Sequence, residues 1–97
     1  MMARGRADSI KVMLVDDHEV VLEGLIRILE KQGSIQIVSV AGSAEEALEK
    51  LERFPPDVIV VDIQLPDMNG IELIRRIKKK HPEIEAVLEQ GTLVVIA

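Results

Sequence analysis

The chain alternates between two hydrophobic periods. A short run rich in β-branched residues, "IKVMLV" from Ile10 to Val15, is followed by Val21, Leu22, Leu25, Ile28 and Leu29 at helical spacing, and Gly33 then stands where a helix should stop. "IQIVSV", Ile35 to Val40, repeats the strand signal. Ser43 with Glu46 forms a capping box ahead of Ala44, Ala47, Leu48 and Leu51, so a second helix follows. Pro55 and Pro56 break the chain before a third apolar strand, Asp57 to Val61. Asn69 with Glu72 caps a third helix that carries Ile71, Ile74 and Ile77 inward. Three strand-and-helix units in series require right-handed crossovers, which build a parallel sheet with helices on both faces. The predicted class is α/β, doubly wound.

Composition narrows this picture. The 97 residues suffice for one domain, predicted over 10–97, and 47% of them are hydrophobic with a single aromatic, Phe54, so the core must be aliphatic. The absence of cysteine excludes a disulfide framework and a thiolate metal site, and the cytosol is the expected compartment. Residues 1–9, "MMARGRADS", hold no apolar run fit for a signal peptide and read as a flexible tail, and no stretch approaches a membrane span. A net charge of -5 argues against direct binding to the phosphates of nucleic acid. The basic run Lys78 to Lys80, after Arg75 and Arg76, falls at the end of the third helix, where cations suit the helix dipole.

The strand ends carry the candidate chemistry. All strands of a parallel sheet finish on one edge, and ligands bind there. Asp62 ends the third strand, while Asp16 and Asp17 end the first. If those strands are neighbours, three carboxylates converge. Two like charges about 4 Å apart repel by roughly 4 kcal/mol at an effective dielectric near 20. A hard divalent cation offsets this, and Mg²⁺ favours one or two carboxylates, with waters and phosphate oxygens completing its shell. Asp16 or Asp17 is equally read as a cap of the first helix. Asp62 is followed by Ile63, Gln64, Leu65 and Pro66 rather than by a helix, which makes it a poor cap. His18 and His81 are isolated from any cysteine or second histidine in sequence and read as surface residues, not metal ligands. With no Gly-rich loop, serine nucleophile with a partner base or zinc spacing, the chain does not read as an enzyme.

"VMLVDDHEVVLEGL" from Val12 to Leu25, "VIVVDIQLPDMNGIELIRRIK" from Val58 to Lys78, and the "HPEI" beginning at His81 together resemble the receiver domain of bacterial two-component response regulators, nearest the NarL/FixJ type. The resemblance covers residues 10–84 and implies a flavodoxin-like sheet. It further implies that Asp62 accepts a phosphoryl group from a histidine kinase with Mg²⁺ as cofactor, that Asp17 ligates the metal directly, and that Asp16 acts through water. Gln64 would add its backbone carbonyl, and Pro66 and Gly70 match the turn into the third helix.

Residues 85–97 depart from that pattern. "EAVLEQG" reads as a helix, with Pro82 in its first turn and Gly91 as its stop, and "TLVVIA" reads as a strand. Either "TLVVIA" is a fourth strand after an inserted helix, with Ile96 where the family has a switch hydroxyl, or the fourth strand is deleted and "TLVVIA" stands for the fifth. Thr92 lies at the wrong end of that strand to replace the hydroxyl. The first alignment gives a strand order 2-1-3-4, with the fifth strand and last helix missing. No lysine follows Lys80, so neither the switch Thr/Ser nor the phosphate-holding lysine of the family has a counterpart. The expected function is therefore a phosphoacceptor receiver with impaired phosphorylation. The alternative is a non-signalling structural or engineered fragment, truncated or altered at its end, that self-associates as a homodimer or swapped oligomer through an exposed edge strand.

Overall fold

The computed structural model describes residues 9–90 and the backbone of Leu93–Ile96; the lead-in 1–8, together with Gly91, Thr92 and Ala97, lies outside the described residues. In chain order the elements are β1 (Ile10–Val15), α1 (Glu19–Glu30), β2 (Ile35–Ala41), α2 (Ala44–Arg53), β3 (Val58–Asp62), α3 (Gly70–Lys80), β4 (Glu85–Gln90) and β5 (Leu93–Ile96). They form one sheet in the order β2-β1-β3-β4-β5. The first four strands are parallel, and β5 returns antiparallel to β4. The doubly wound α/β class and the 2-1-3-4 order are those expected.

Asp57 aligns the starting ends of three strands. Its side chain accepts a hydrogen bond from the Lys11 amide at 2.9 Å, its own amide donates to the Lys11 carbonyl at 2.8 Å, and its carbonyl accepts from the Glu85 amide at 3.0 Å. Because parallel strands rise equally per residue, fixing their starts also fixes which residues meet at their far ends.

The helix caps follow the predicted chemistry with two changes. The Ser43 hydroxyl accepts from the Glu46 amide at 3.1 Å, but the Glu46 carboxylate reaches the Gly42 amide, at 2.8 Å, instead of that of Ser43. Asp67, from the loop after β3, accepts from the amides of Ala44 and Glu45, both at 2.9 Å. A long-range carboxylate thus satisfies two of the free donors that open α2, where negative charge is favoured. Asn69 caps α3 by accepting from the Ile71 amide at 2.7 Å, while Glu72 turns out to Arg75 and Arg76.

The core lies on the α2 and α3 side of the sheet. Met13, Val15, Ile59, Val61 and Ala86 pack from the strands against Ala47, Leu51, Leu73 and Ile77 from the helices. The predicted apolar stripe of α1 is less covered than its periodicity implies. No residue of that helix is buried, and Val21 and Ile28 are exposed. Ile71, expected inward, is also exposed, whereas Leu73 is fully buried, because the inward arc of α3 runs through Gly70, Leu73, Ile74 and Ile77.

The helix predicted for "EAVLEQG" is overturned, since Glu85–Gln90 is strand β4, and both alignments of the tail fall with it. Alanine, leucine and glutamate favour a helix, but tertiary context overrides propensity here. After α3 the chain turns through His81 to Ile84, with the Ile84 amide donating to the His81 carbonyl, and arrives beside the free edge of β3. Pairing there satisfies a row of backbone donors and acceptors, in the register Val58↔Glu85 to Asp62↔Glu89. It also sends Ala86 and Leu88 into the core. Leu93–Ile96 is a strand as predicted, but it forms the antiparallel edge and not the fourth parallel strand, so Ile96 is not the counterpart of the family's switch position.

Candidate functional site

The finishing edge of the sheet gathers acidic side chains from three adjacent strands. Pairing of β1 with β3 runs through Leu14↔Val60 and Val15↔Val61, which places Asp16 beside Asp62 at the next step. Asp62 in turn faces Glu89 across β3 and β4. Alternation with period two turns these three side chains to the same face, opposite to the one that Val15, Val61 and Leu88 send into the core. All three are buried: Asp16 is 3% exposed, Asp62 8% and Glu89 8%.

Asp16 is held by the fold, its amide donating to the Ala41 carbonyl at 2.9 Å and so extending the β1–β2 ladder by one step. It is not the cap residue of α1. That position is His18, whose side chain makes no capping bond, while Asp16 Oδ1 accepts from the His18 amide at 2.8 Å. Asp17 projects outward beside it and is exposed. The Gln64 amide donates to Asp62 Oδ1 at 3.2 Å, orienting the carboxylate from behind.

Sequence reasoning set His18 aside as an isolated surface residue. It is exposed, yet its Nδ1 lies 2.9 Å from Asp16 Oδ1, 3.2 Å from Asp17 Oδ1 and 3.4 Å from Asp62 Oδ2. Ligand atoms of Asp16, Asp17, His18 and Asp62 all lie within 4.8 Å of one another. His81 is elsewhere, pairing with Glu52 at 3.0 Å and tying α2 to the end of α3. Glu89 was missed altogether, because the segment containing it read as a helix. The available signal was the alternation of Ile84, Ala86 and Leu88, which is the period of a strand.

Electrostatics follow from this crowding. Burial, and then the charge of Asp16, push the Asp62 carboxyl above the ordinary aspartate range, against the Gln64 amide, which lowers it. Burial followed by the charges of Asp16 and Asp62 raises Glu89 in the same way. The hydrogen bond to Asp16, then the charge of Asp17, raise the His18 imidazole above its ordinary value. Asp16, His18, Asp62, Gln64 and Glu89 line a cleft of about 310 Å³. The donors are mostly hard carboxylate oxygens, a set suited to Mg²⁺ rather than to a soft metal. The His18 imidazole already sits among three carboxylates, and being exposed it has room to leave.

Pro66 and Asp67 form the tip of the loop beyond Asp62, closed by an antiparallel bridge between Gln64 and Asn69. The Gly70 amide donates to the Ile63 carbonyl at 2.7 Å, drawing the start of α3 against the end of β3.

A doubly wound sheet of order 2-1-3-4, with buried aspartates where its first and third strands end, is the arrangement of the receiver fold. The family model for the response regulator receiver domain matches residues 12–89, and the chain belongs to that family. It is 40% identical over 78 residues to the response regulator GacA of Pseudomonas syringae pv. syringae, covering 80% of this chain and 36% of that protein. It is 43% identical over 79 residues to the DNA-binding transcriptional activator DevR/DosR of Mycobacterium tuberculosis, covering 81% of this chain and 36% of the relative. The chain thus spans about a third of the length of these curated relatives. Among solved structures, the signal receiver domain of the putative response regulator NarL from Mycobacterium tuberculosis superposes with a TM-score of 0.82 at 27% identity, over 89% of this chain and 69% of that one. The relatives include NarL/FixJ-type regulators of two-component signalling.

Proposed function

We propose that this chain is a phosphoacceptor module in which Asp62 accepts a phosphoryl group from a histidine kinase. The observation that carries this reading is the position of Asp62. It is buried at the end of β3, oriented by the Gln64 amide and flanked by Asp16 and Asp17 on the neighbouring strand end. A carboxylate oxygen of Asp62 would form the new bond to phosphorus while the phosphorus–nitrogen bond of the donor phosphohistidine breaks, leaving the donor imidazole to take up a proton. Asp17 would hold Mg²⁺ directly, Asp16 through water, and Asp62 and the Gln64 carbonyl would complete the protein's share. A bound divalent cation supplies neutralisation of the phosphoryl oxygens. Pro66 and Gly70 serve as the structural turn that brings α3 against the site.

Phosphorylation is expected to be slow, because β4 ends in Glu89 and Gln90 with no hydroxyl. The test is incubation with Mg²⁺ and a small phosphodonor followed by intact mass measurement. A phosphoryl adduct that disappears in Asp62→Asn supports the reading, and an adduct that survives in that variant overturns it. RcsB of Salmonella enterica has been solved on promoter DNA, and the present chain covers 42% of that molecule. With a net charge of -5, we place any DNA contact outside these residues.

A second reading, a self-associating structural fragment, rests on β5. Its outer edge carries no partner strand among the described residues, and unpaired strand edges invite pairing with another chain. Light scattering coupled to size-exclusion chromatography tests it, since a monomer at tens of micromolar removes this reading.

A further inference from the structure

Glu89 is given no ligand role in the function proposed above. The β3–β4 ladder fixes its backbone beside Asp62, with the Glu89 carbonyl accepting from the Ile63 amide at 3.0 Å. The residue is 8% exposed and lines the same cleft as Asp16, His18, Asp62 and Gln64. Among the described residues no backbone or side-chain N–H donates to its carboxylate, which lies within hydrogen-bonding range of the Asp16 carboxylate, and the charges facing it are Asp16, Asp62 and His18. Two carboxylates held together with no N–H donor between them repel when both are ionised, and a cation between them offsets that repulsion.

We infer that Glu89 is an additional anionic ligand for the divalent cation of this pocket, and that it occupies the side of the cleft a phosphoryl group on Asp62 would need. The inference rests on reading the pocket as a cation site. The tight set of Asp16, Asp17, His18 and Asp62 does not include Glu89. Glu89 approaches from the β4 side, and glutamate has one methylene more than aspartate with which to reach inward. When the Asp62 carboxylate becomes an acyl phosphate, the pocket gains one further negative charge. Opposite a neutral hydroxyl that increment meets no fixed anion, whereas opposite Glu89 it meets one at close range. The same carboxylate that strengthens cation binding therefore opposes phosphorylation.

The experiment is calorimetric titration of the whole chain with MgCl₂, compared with Glu89→Gln, Glu89→Thr and Asp17→Asn, with folding followed by circular dichroism. Glu89→Gln and Glu89→Thr are expected to weaken Mg²⁺ binding about 10- to 100-fold. In parallel, ¹⁹F NMR with beryllofluoride and Mg²⁺ is expected to detect a bound adduct in Glu89→Thr and little in the parent. Unchanged Mg²⁺ affinity in Glu89→Gln, with loss in Asp17→Asn, overturns the role of Glu89 and leaves the pocket intact. Unchanged affinity in all three variants overturns the pocket itself. Equal uptake of beryllofluoride by the parent and Glu89→Thr overturns the claim that Glu89 excludes the phosphoryl group. Should Glu89→Thr fail to fold, the isosteric Glu89→Gln carries both comparisons.

Discussion

Gly70 packs its α-carbon against the backbone of Asp62 with no room for a side chain. A Cβ at position 70 would fall 3.0 Å from the Asp62 carbonyl carbon and 3.0 Å from the Ile63 Cα, and nearer still to the Asp62 carbonyl oxygen. The obstacle is backbone, which cannot swing aside as a side chain does. Gly70→Ala is expected to destabilise the chain by about 1–3 kcal/mol, the range for overpacking a filled interior. The shift falls on Asp62, which lines the acidic cleft, so the variant should also bind Mg²⁺ more weakly. Chemical denaturation and calorimetric titration check the two effects.

The two sides of the sheet should respond unequally to truncation. Leu73 is fully buried in the core, and Leu73→Ala should cost about 2–5 kcal/mol. Ile28 on α1 is 61% exposed, and Ile28→Ala should change stability by less than about 0.5 kcal/mol. Urea melts of the two variants provide the comparison, and native-state hydrogen exchange should find the α1 amides less protected than those of α3.

His18 should report on the pocket. Its imidazole is held above the ordinary value of 6.5 by the hydrogen bond to Asp16 and the charge of Asp17. The stabilisation this supplies is fully present below 6.5 and is lost as pH rises through the raised folded value. A cation among the same carboxylates repels the imidazolium. In an NMR titration the His18 midpoint should therefore lie above 6.5 without metal and fall when Mg²⁺ is added; a midpoint unmoved by Mg²⁺ contradicts the shared pocket.

Asp62 and Glu89 carry the opposite penalty. Burial raises both from ordinary values of 3.8 and 4.5, so each disfavours the fold at neutral pH while ionised. That penalty fades as pH falls through the raised values and is gone below the ordinary ones. Metal-free Glu89→Gln should therefore melt higher than the parent at pH 7, with the gap closing toward pH 4. Added Mg²⁺ should raise the melting temperature of the parent, by mass action on the folded state.

Removing Asp67 tests a contact between the β3–α3 loop and α2. Its carboxyl is held below the ordinary range by the amides of Ala44 and Glu45. The stabilisation is present above 3.8 and is lost as pH falls through the lowered value. Asp67→Ala should lower the melting temperature at pH 7 modestly and leave Mg²⁺ affinity unchanged.

Much of this molecule is written in local pattern. The β-branched runs at Val12, Ile37 and Val58, the caps Ser43 and Asn69, and the placement of Asp16, Asp17 and Asp62 at strand ends were all legible, because strand period and cap chemistry depend on neighbours in the chain. Residues 85–90 were not, since their composition favours a helix and only the open edge of β3, distant in sequence, makes the extended form better. For the same reason the sequence left His18 and Glu89 outside the pocket. Whether a carboxylate or an imidazole stands among other charges depends on strand order and register, and those are settled by which surfaces the whole chain can bury at once.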